Sequence, residues 1–423
     1  MTKIIYVIID GVGDRPHPDL NGLTPTEAAL TPNLDSLSSD GVMGLVTPVD
    51  DDFPPESDSA VFSMLGYDVT KSYAGRGVVE AIGSDLDFRN GDLALRGNFA
   101  TINDDLEIID RRAGRNLTHK EAVDLSSSIN SELHLTENAT FTLLPTIGHR
   151  VTLIIKHPTI SLTSNISNTD PAYERVGSIS IARENVDHMS INESKQLDDV
   201  PTSKKSSNLI NEFTAKAIDI LKDHPINIIR EKEGNLPANS LLFRDAGSSL
   251  PSELPLSKRF NKTFACLADM PVELGIAKIT GMHPVKSNSV NDYLHKAKQT
   301  VELLKKFDVV YVHLKGPDEP GHDGDAKLKK EIIENIDSLF FKFLLDNLNF
   351  NDLIYAVTGD HSTPCILKAH SSDPVPLLIS FSNLVSSSQP KDSSIRFTEK
   401  NGLIGSLGKL KGIEVLPKIL SYS

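Results

Sequence analysis

The chain has few cysteines, since Cys266 and Cys365 are the only two among its 423 residues. Two cysteines outside CxxC spacing do not build a disulfide framework. Chains poor in cysteine are typical of reducing compartments. We therefore expect a cytoplasmic location.

The sequence also lacks long apolar runs and an excess of basic residues. No stretch reaches about 18 uninterrupted apolar residues, the length of a membrane-spanning helix, and mean hydropathy is -0.18. With 43 Lys and Arg against 57 Asp and Glu, the net charge is -14, which disfavours nucleic-acid binding. An anionic substrate then needs a local basic pocket or metal ions. We expect a small-molecule substrate, no nucleic acid and no membrane, and we leave a homo-oligomer open.

Short apolar runs rich in Ile and Val stand near both ends of the chain, at 4–9, 309–314, 353–358 and 376–381. Continuous runs of this kind are typical of strands buried on both faces of a sheet. Helical periodicity predicts helices at 291–306 and 330–348. A further helix is predicted to begin after Thr31 and to end at Gly41, and another is predicted to begin at Ser57. The alternation predicts an α/β fold, with a mostly parallel sheet flanked by helices.

The middle of the chain has a different pattern. Apolar segments between about 90 and 200 are shorter and alternate with polar residues, which predicts a smaller α+β unit with antiparallel strands. The polar stretch 201–208 looks like a linker before a helix at 211–222, and 386–394 is predicted to be a loop. We predict a split catalytic domain, 1–90 and 206–423, interrupted by a substrate-binding cap domain, 91–205.

Carboxylates and imidazoles follow three of the apolar runs. Asp10 follows the first run, and the other candidates are Asp318, His322, Asp360, His361 and, on a nearby loop, His370. Open α/β sheets bind ligands beyond the carboxyl ends of their strands. Each pattern is weak by itself, but the set predicts two divalent cations, and these donors admit Mn, Co, Zn or Mg.

A serine at a predicted helix start is the candidate nucleophile. Such a serine is most often a helix cap, but helix N-termini also bind phosphate, and a metal beside the hydroxyl can activate it. Ser57, Ser59 and Ser63 are the candidates. The serine and the metal ligands together predict phosphoryl transfer through a phosphoserine.

Motifs along the whole chain resemble one known family, and they include IIDGVGDRP (8–16), PPESDSAVFSMLGYD (54–68), DRRAGR (110–115), NTDP (168–171), GPDEPGHDGD (316–325), TGDHSTPC (358–365) and HSSDPVP (370–376). On these residues the chain resembles the archaeal-type, cofactor-independent (2,3-bisphosphoglycerate-independent) phosphoglycerate mutases of the alkaline phosphatase superfamily. The resemblance implies an isomerase that interconverts 3-phosphoglycerate and 2-phosphoglycerate in glycolysis and gluconeogenesis. It also implies an alkaline-phosphatase-like core with an inserted domain.

The resemblance also assigns roles to residues of this chain. It selects Ser57 as the nucleophile. It implies one metal on Asp10, Ser57, Asp360 and His361, and a second on Asp318, His322 and His370. This chain departs from the family at Glu56, where a glycine is common, and we expect the Glu56 side chain to point to solvent.

The substrate needs cations and an acid–base residue. Arginine forks match carboxylate and phosphate oxygens. The predicted substrate ligands are Arg111, Arg112, Arg115, His149, Arg244 and Lys315, and Arg76, between two glycines, is a further candidate. Asp110 is the predicted general acid and base, with His149 as the alternative.

Two other functions fit the same residues. A metal-dependent phosphomonoesterase or another phosphomutase would use the same metal ligands, and a non-catalytic metabolite-binding protein would bind without turnover. Release of inorganic phosphate distinguishes a hydrolase from a mutase.

Overall fold

The computed structural model describes residues 2–51, 54–176, 179–183, 189–287, 289–348, 353–381, 392 and 396–423. The predicted loop 386–394 lies outside these residues, apart from Asp392. The chain forms two compact units. The core unit is Met1–Ser72 with Glu253–Ser423, and the inserted unit is Tyr73–Ser252.

The strands are β1 (Lys3–Ile9), β2 (Gly41–Thr47), β3 (Leu93–Ile102), β4 (Ile108–Asp110), β5 (Thr140–Pro145), β6 (Arg150–Lys156), β7 (Tyr173–Val176), β8 (Ile179–Ala182), β9 (Ser240–Gly247), β10 (Phe264–Ala268), β11 (His283–Lys286), β12 (Val309–Leu314), β13 (Leu353–Thr358), β14 (Val375–Phe381) and β15 (Gly408–Lys411). The helices are α1 (Pro25–Ala28), α2 (Pro32–Ser39), α3 (Ser57–Met64), α4 (Val69–Ser72), α5 (Arg76–Gly83), α6 (His119–Glu132), α7 (Pro201–Lys222), α8 (Pro225–Lys232), α9 (Leu256–Phe260), α10 (Pro271–Thr280), α11 (Tyr293–Leu304), α12 (Asp318–Asp323), α13 (Ala326–Ile336), α14 (Lys342–Asn347), α15 (Glu399–Ile404) and α16 (Gly412–Leu420).

The core unit is built on a sheet with the strand order β11-β10-β12-β1-β13-β14-β2-β15. β14 pairs antiparallel with both of its neighbours, and the other pairings are parallel. Every residue of β12 and β13 is buried, as expected for strands covered on both faces. The predicted mostly parallel α/β sheet is confirmed.

Helices cover both faces of this sheet. On one face, α2, α11, α13 and α14 pack their apolar side chains on alternate residues of β1 and β12, beginning with Ile5 and Val310. On the other face, the hydroxyl of Tyr6 reaches the carbonyl of Met64 in α3. This contact fixes α3 beneath the sheet, with its N-terminus at the carboxyl edge of the strands.

The predicted helix 330–348 is continuous through α13 and α14, with a π-helical turn, Asp337–Phe341, between them. The start of α2 differs from a simple serine or threonine cap. Thr31 precedes α2 but makes no capping hydrogen bond from its side chain. The buried carboxylate of Asp337 accepts the N–H groups of Asn33 and Leu34 instead, at 3.3 and 2.8 Å. A residue distant in sequence thus caps α2.

The inserted unit contains an antiparallel sheet, as predicted. β3 is its centre and pairs with β6, β9 and β4, and β5 pairs with β6. β7 and β8 form a separate antiparallel pair. α6 and α7 cover the sheet, and residues such as Leu125 and Phe213 pack with Phe99 and Phe243 in its core.

The compact units end at other residues than the predicted domains. The units change at 72/73 and 252/253, against predicted changes at 90/91 and 205/206. The stretch 201–208 is not a linker, because it forms the first two turns of α7. Its Ser203 and Ser206 are buried, so a polar composition hides a packed face. Among the described residues, no helix has both the length and the apolar character that spanning a membrane requires.

Candidate active site

Three adjacent strands of the core sheet end at the candidate site. Asp10 follows β1, Asp318 begins α12 shortly after β12, and Asp360 follows β13. Because β12, β1 and β13 are parallel neighbours, their carboxyl ends share one edge. This topology brings together carboxylates that lie up to 350 residues apart in the sequence, as Asp10 and Asp360 do.

Asp360 and Asp10 each present one buried oxygen without a hydrogen bond. Oδ1 of Asp360 accepts the N–H groups of Gly11 and His361, both at 3.0 Å. Its Oδ2 and the Oδ1 of Asp10 have no hydrogen-bond partner. Nε2 of His361 lies 3.5 Å from the former and 3.4 Å from the latter. Buried unpaired carboxylate oxygens are costly, so this arrangement suits a divalent cation.

Ser57 faces the same imidazole. It is the first residue of α3, and its Oγ lies 3.2 Å from Nε2 of His361. Of the other candidate serines, Ser59 donates to the carbonyl of Glu56 at 3.0 Å, and Ser63 is buried farther along the helix. The position of Ser57 suits a nucleophile activated at this site.

A second group of ligand atoms surrounds Asp318. Its Oδ1 lies 3.5 Å from Nε2 of His370 and 3.6 Å from Nε2 of His322, and it accepts the hydroxyl of Thr363 at 2.6 Å. Nδ1 of His370 is 2.9 Å from the carbonyl of Pro55, which orients the ring with Nε2 toward the carboxylate. The seven predicted ligands therefore lie in one cluster, and Asp318, His361 and His370 together have the spacing of a metal site.

Burial and neighbouring charges shift the pKa values of several residues in the cluster. Burial raises the pKa of Asp10, but Lys315 and the neighbouring imidazoles outweigh burial and hold it well below its usual range. Burial raises the pKa of Asp360 above its usual value. Burial lowers the pKa of His370, yet Asp318 and Glu56 raise it to about 9. Glu56 is half-buried and acts on His370, so the expectation that it points away into solvent is wrong.

Lys315 does not lie free for a substrate phosphate. Its Nζ is 3.1 Å from Oδ2 of Asp10 and 2.8 Å from Oε1 of Glu273. The ammonium thus offsets two buried carboxylates behind the site. Glu273 and the neighbouring His313 were not predicted from the sequence. The position of His313, in the apolar run of β12 and two residues before Lys315, could have indicated that both side chains lie on one face, because alternate strand residues share a face.

In the inserted unit, two predicted arginines converge on one carboxylate. Arg111 donates two hydrogen bonds to Asp170, at 3.0 and 2.6 Å, and Arg244 donates one at 3.2 Å. Both guanidinium groups lie over the ring of Tyr173. Asp170 is completely buried and belongs to the NTDP motif. Arg244 lies within β9.

Further arginines gather around Glu80 and Asp245. Nε of Arg76 is 2.9 Å and Nε of Arg96 3.3 Å from Oε1 of Glu80, and Arg96 also lies 3.9 Å from Asp245. Repulsion from Arg96, followed by burial, lowers the pKa of Arg150 to about 10. Arg96 and Arg150 were missed because they occupy strands in alternating segments. The net charge of the chain is -14, so this local concentration of arginines is unusual and favours binding of an anion.

The DRRAGR loop has an unusual backbone. Ala113, Gly114 and Arg115 all have positive φ, of 46°, 73° and 57°, a conformation that costs energy for non-glycine residues. Oδ1 of Asp110 accepts the N–H groups of Arg112 and Gly114, at 2.6 and 3.2 Å. The carboxylate predicted as acid and base therefore shapes the loop. Arg112 is half-buried, and Arg115 is exposed.

His149, the alternative acid–base residue, lies among these cations. Burial and then the charge of Arg150 lower the pKa of His149 to about 4. Its imidazole is neutral near pH 7 and can accept a proton.

Comparisons with known proteins show which family the chain resembles. The model of the 2,3-bisphosphoglycerate-independent phosphoglycerate mutase family matches residues 38–227. The chain is 42% identical over 430 residues to the 2,3-bisphosphoglycerate-independent phosphoglycerate mutase of Aeropyrum pernix, with 99% of each chain covered. It is 36% identical over 420 residues to that of Pyrococcus abyssi, with 98% of this chain and 96% of the relative covered.

Solved structures of similar fold were also found. A Pyrococcus horikoshii protein aligns with a TM-score of 0.82 at 32% identity, over 100% of this chain and 98% of its own. The cofactor-independent phosphoglycerate mutase of Thermoplasma acidophilum aligns with a TM-score of 0.66 at 30% identity, over 100% and 99%. The chain therefore belongs to the family of 2,3-bisphosphoglycerate-independent phosphoglycerate mutases, which are isomerases.

Proposed function

We propose that this protein interconverts 3-phosphoglycerate and 2-phosphoglycerate by passing the phosphoryl group through Ser57 at a two-metal site, without 2,3-bisphosphoglycerate. One observation carries the proposal. Oγ of Ser57 lies 3.2 Å from Nε2 of His361, and that nitrogen also faces the unpaired oxygens of Asp10 and Asp360. A nucleophile among ligand atoms without other partners is what phosphoryl transfer requires.

The ligand atoms fit two divalent cations. Asp10, Ser57, Asp360 and His361 would hold one, and Asp318, His322 and His370 the other. When bound, such ions stabilise the charge on phosphoryl oxygens and favour deprotonation of a nearby hydroxyl. The donors admit Mn, Co, Zn or Mg.

The chain's own residues account for the transfer. Oγ of Ser57, already deprotonated, forms a bond to phosphorus as the bond from phosphorus to the 3-oxygen of glycerate breaks, and that oxygen takes a proton from the general acid. The 2-hydroxyl then attacks the phosphoserine, gives its proton to the same residue, and frees Oγ of Ser57. Asp110 is the predicted acid and base, with His149 as the alternative. Asp110 also accepts two backbone N–H groups. The pKa of His149, lowered to about 4, suits the base step and not the preceding acid step.

The arginines of the inserted unit would bind the anionic groups of the substrate. Arg111 and Arg244 are held by Asp170, so their guanidinium groups are fixed before substrate arrives. Fixed donors lose less conformational entropy on binding. We assign the glycerate carboxylate to this cluster.

The proposal also retains the expectations about cellular location and oligomeric state. Both thiols, Cys266 and Cys365, are buried and unpaired, which suits the predicted cytoplasmic location. The number of copies in the assembly stays a prediction to be measured.

An enolase-coupled assay without added 2,3-bisphosphoglycerate tests the proposed reaction. Protein stripped with EDTA should be inactive and should regain activity with Mn, Co, Zn or Mg. Ser57→Ala should abolish turnover, and Ser59→Ala, two residues farther along α3, is the matched control and should remain active. More than a few per cent of activity in Ser57→Ala would refute the covalent route. Release of inorganic phosphate as the main product would identify a phosphomonoesterase instead.

A further inference from the structure

A buried histidine that none of the predicted ligand sets contains lies behind the candidate metal site. His313 is in β12, is 1% exposed, and has no hydrogen-bond partner at Nε2. That nitrogen lies 3.9 Å from Oδ1 of Asp10 and 3.9 Å from Oδ2 of Asp360. These two oxygens are themselves without hydrogen bonds. Three unpaired buried atoms thus face one point.

The other ring nitrogen of His313 is already held. Nδ1 lies 2.8 Å from the hydroxyl of Tyr311. If Nδ1–H donates to this oxygen, Nε2 keeps a free lone pair directed at the two aspartates. Histidines that bind metals are usually oriented in this way, by a hydrogen bond from the second ring nitrogen. The contact with Tyr311 holds the ring with Nε2 toward the carboxylates in either tautomer.

The buried charges around His313 suit a cation. Three buried carboxylates, of Asp10, Asp360 and Glu273, surround its Nε2, and the nearest oxygen, Oε1 of Glu273, is 3.7 Å away. Lys315 offsets one of these charges. One divalent cation would balance the remaining two. The alternative is that His313 contacts only the carboxylates and no metal.

We propose that Nε2 of His313 is an additional ligand of the cation held by Asp10 and Asp360, on the side of the site facing Tyr311. The inference rests on the proposed two-metal site. Asp10, His313 and Asp360 have mutual spacings suited to one ion, while Ser57 and His361 approach the same oxygens. The cation then has two imidazoles and two carboxylates before the serine. Such a set holds it without the substrate.

A structure of the wild-type protein loaded with zinc tests this directly. Anomalous scattering at the zinc edge locates each ion, and we expect Nε2 of His313 at a ligand distance of about 2.0–2.1 Å. Zinc bound by Asp10 and Asp360 but more than about 3 Å from Nε2, beyond any ligand distance, would overturn the inference and leave the two-metal proposal standing. No zinc at either aspartate would overturn both.

Metal titration gives an independent measurement. Apo-protein is titrated with zinc by calorimetry for wild type, His313→Asn, and the control His295→Asn, which changes an exposed histidine of α11. His313→Asn should weaken one of the two equivalents by about 10- to 100-fold, the range for a lost supporting contact at a metal site, and His295→Asn should leave both unchanged. Two unchanged equivalents in a folded His313→Asn would contradict the inference. If that variant fails to fold, the wild-type zinc structure decides.

Cobalt spectroscopy separates a ligand from an ion-pair partner. Visible absorption of bound Co depends on the number and type of its ligands, so His313→Asn should change the bands, whereas Tyr311→Phe keeps Nε2 and should change them less. Identical spectra for wild type and His313→Asn would identify His313 as a charge partner only and overturn the inference.

Discussion

At the scale of single residues, the site is defined by which atoms are already engaged. Asp360 uses one oxygen to accept two backbone N–H groups and leaves the other without a partner. The sequence predicts Asp360 from its place after an apolar run. It does not predict His313, because a histidine inside such a run also fits a buried residue with ordinary hydrogen bonds. Only the unpaired atoms that meet in space distinguish the two roles.

Asp360→Asn tests the cost of that unpaired oxygen. Without metal, the amide removes a buried charge whose pKa is raised by burial, so the variant should melt at a higher temperature than wild type in EDTA. With zinc the order should reverse, because a ligand is lost. Thermal unfolding in EDTA and in zinc measures this reversal in the order of melting temperatures, and the exposed Asp19→Asn is the control. An Asp360→Asn that is less stable than wild type in EDTA would contradict this account.

His149→Asn tests the electrostatics of the arginine cluster. The pKa of His149 is about 4 in the folded protein, and an unfolded histidine titrates near 6.5. Between these values the unfolded chain binds the proton and the folded one does not, so wild type loses stability as pH falls from about 6.5 to about 4. His149→Asn should lose less over this window in urea unfolding. Parallel curves for the two proteins would exclude the depressed pKa.

At the scale of secondary structure, continuous apolar strands are predictable and helix ends are less so. The runs 309–314 and 353–358 match β12 and β13, because burial on both faces leaves a direct sequence signal. The N-terminus of α2 is capped by Asp337, which lies about 300 residues away in the sequence. Local patterns do not contain such a partner, and they also misread 201–208, where small serines pack within α7.

Asp337→Ala tests the distant helix cap. The substitution leaves the N–H groups of Asn33 and Leu34 without an acceptor and should cost about 1–2 kcal/mol of unfolding free energy. Asp337→Asn keeps an acceptor and should cost less. Thr31→Ala should be close to neutral as regards capping, because its side chain makes no capping bond. Urea unfolding measures all three, and a larger loss in Thr31→Ala than in Asp337→Ala would show that the assigned cap is wrong.

At the scale of the whole molecule, positive charge is concentrated in one part of an acidic chain. The chain is acidic, with a net charge of -14, yet the inserted unit concentrates arginines around Glu80, Asp170 and Asp245. The sequence predicts part of this cluster through DRRAGR. It misses Arg96 and Arg150, since only strand pairing between β3 and β6 brings them together. Such a cluster costs stability by mutual repulsion and is expected where anions bind.

Arg150→Gln tests this balance between stability and binding. The variant should melt at a higher temperature, because it relieves the repulsion from Arg96 that lowers the pKa of Arg150, and it should raise KM about tenfold or more, about 1.4 kcal/mol of lost binding. The exposed Arg89→Gln in the same unit is the control. A lower melting temperature combined with an unchanged KM would contradict an anion-binding role.

The central claim is the covalent passage of the phosphoryl group through Ser57, and rapid-quench labelling tests it most directly. Metal-loaded protein is mixed with 3-phosphoglycerate carrying radioactive phosphate, quenched in acid within a turnover, and digested for mass spectrometry. We predict label on the peptide containing Ser57, transferable to 2-phosphoglycerate on further incubation. Turnover with no labelled protein, or with label on another residue, would contradict the account.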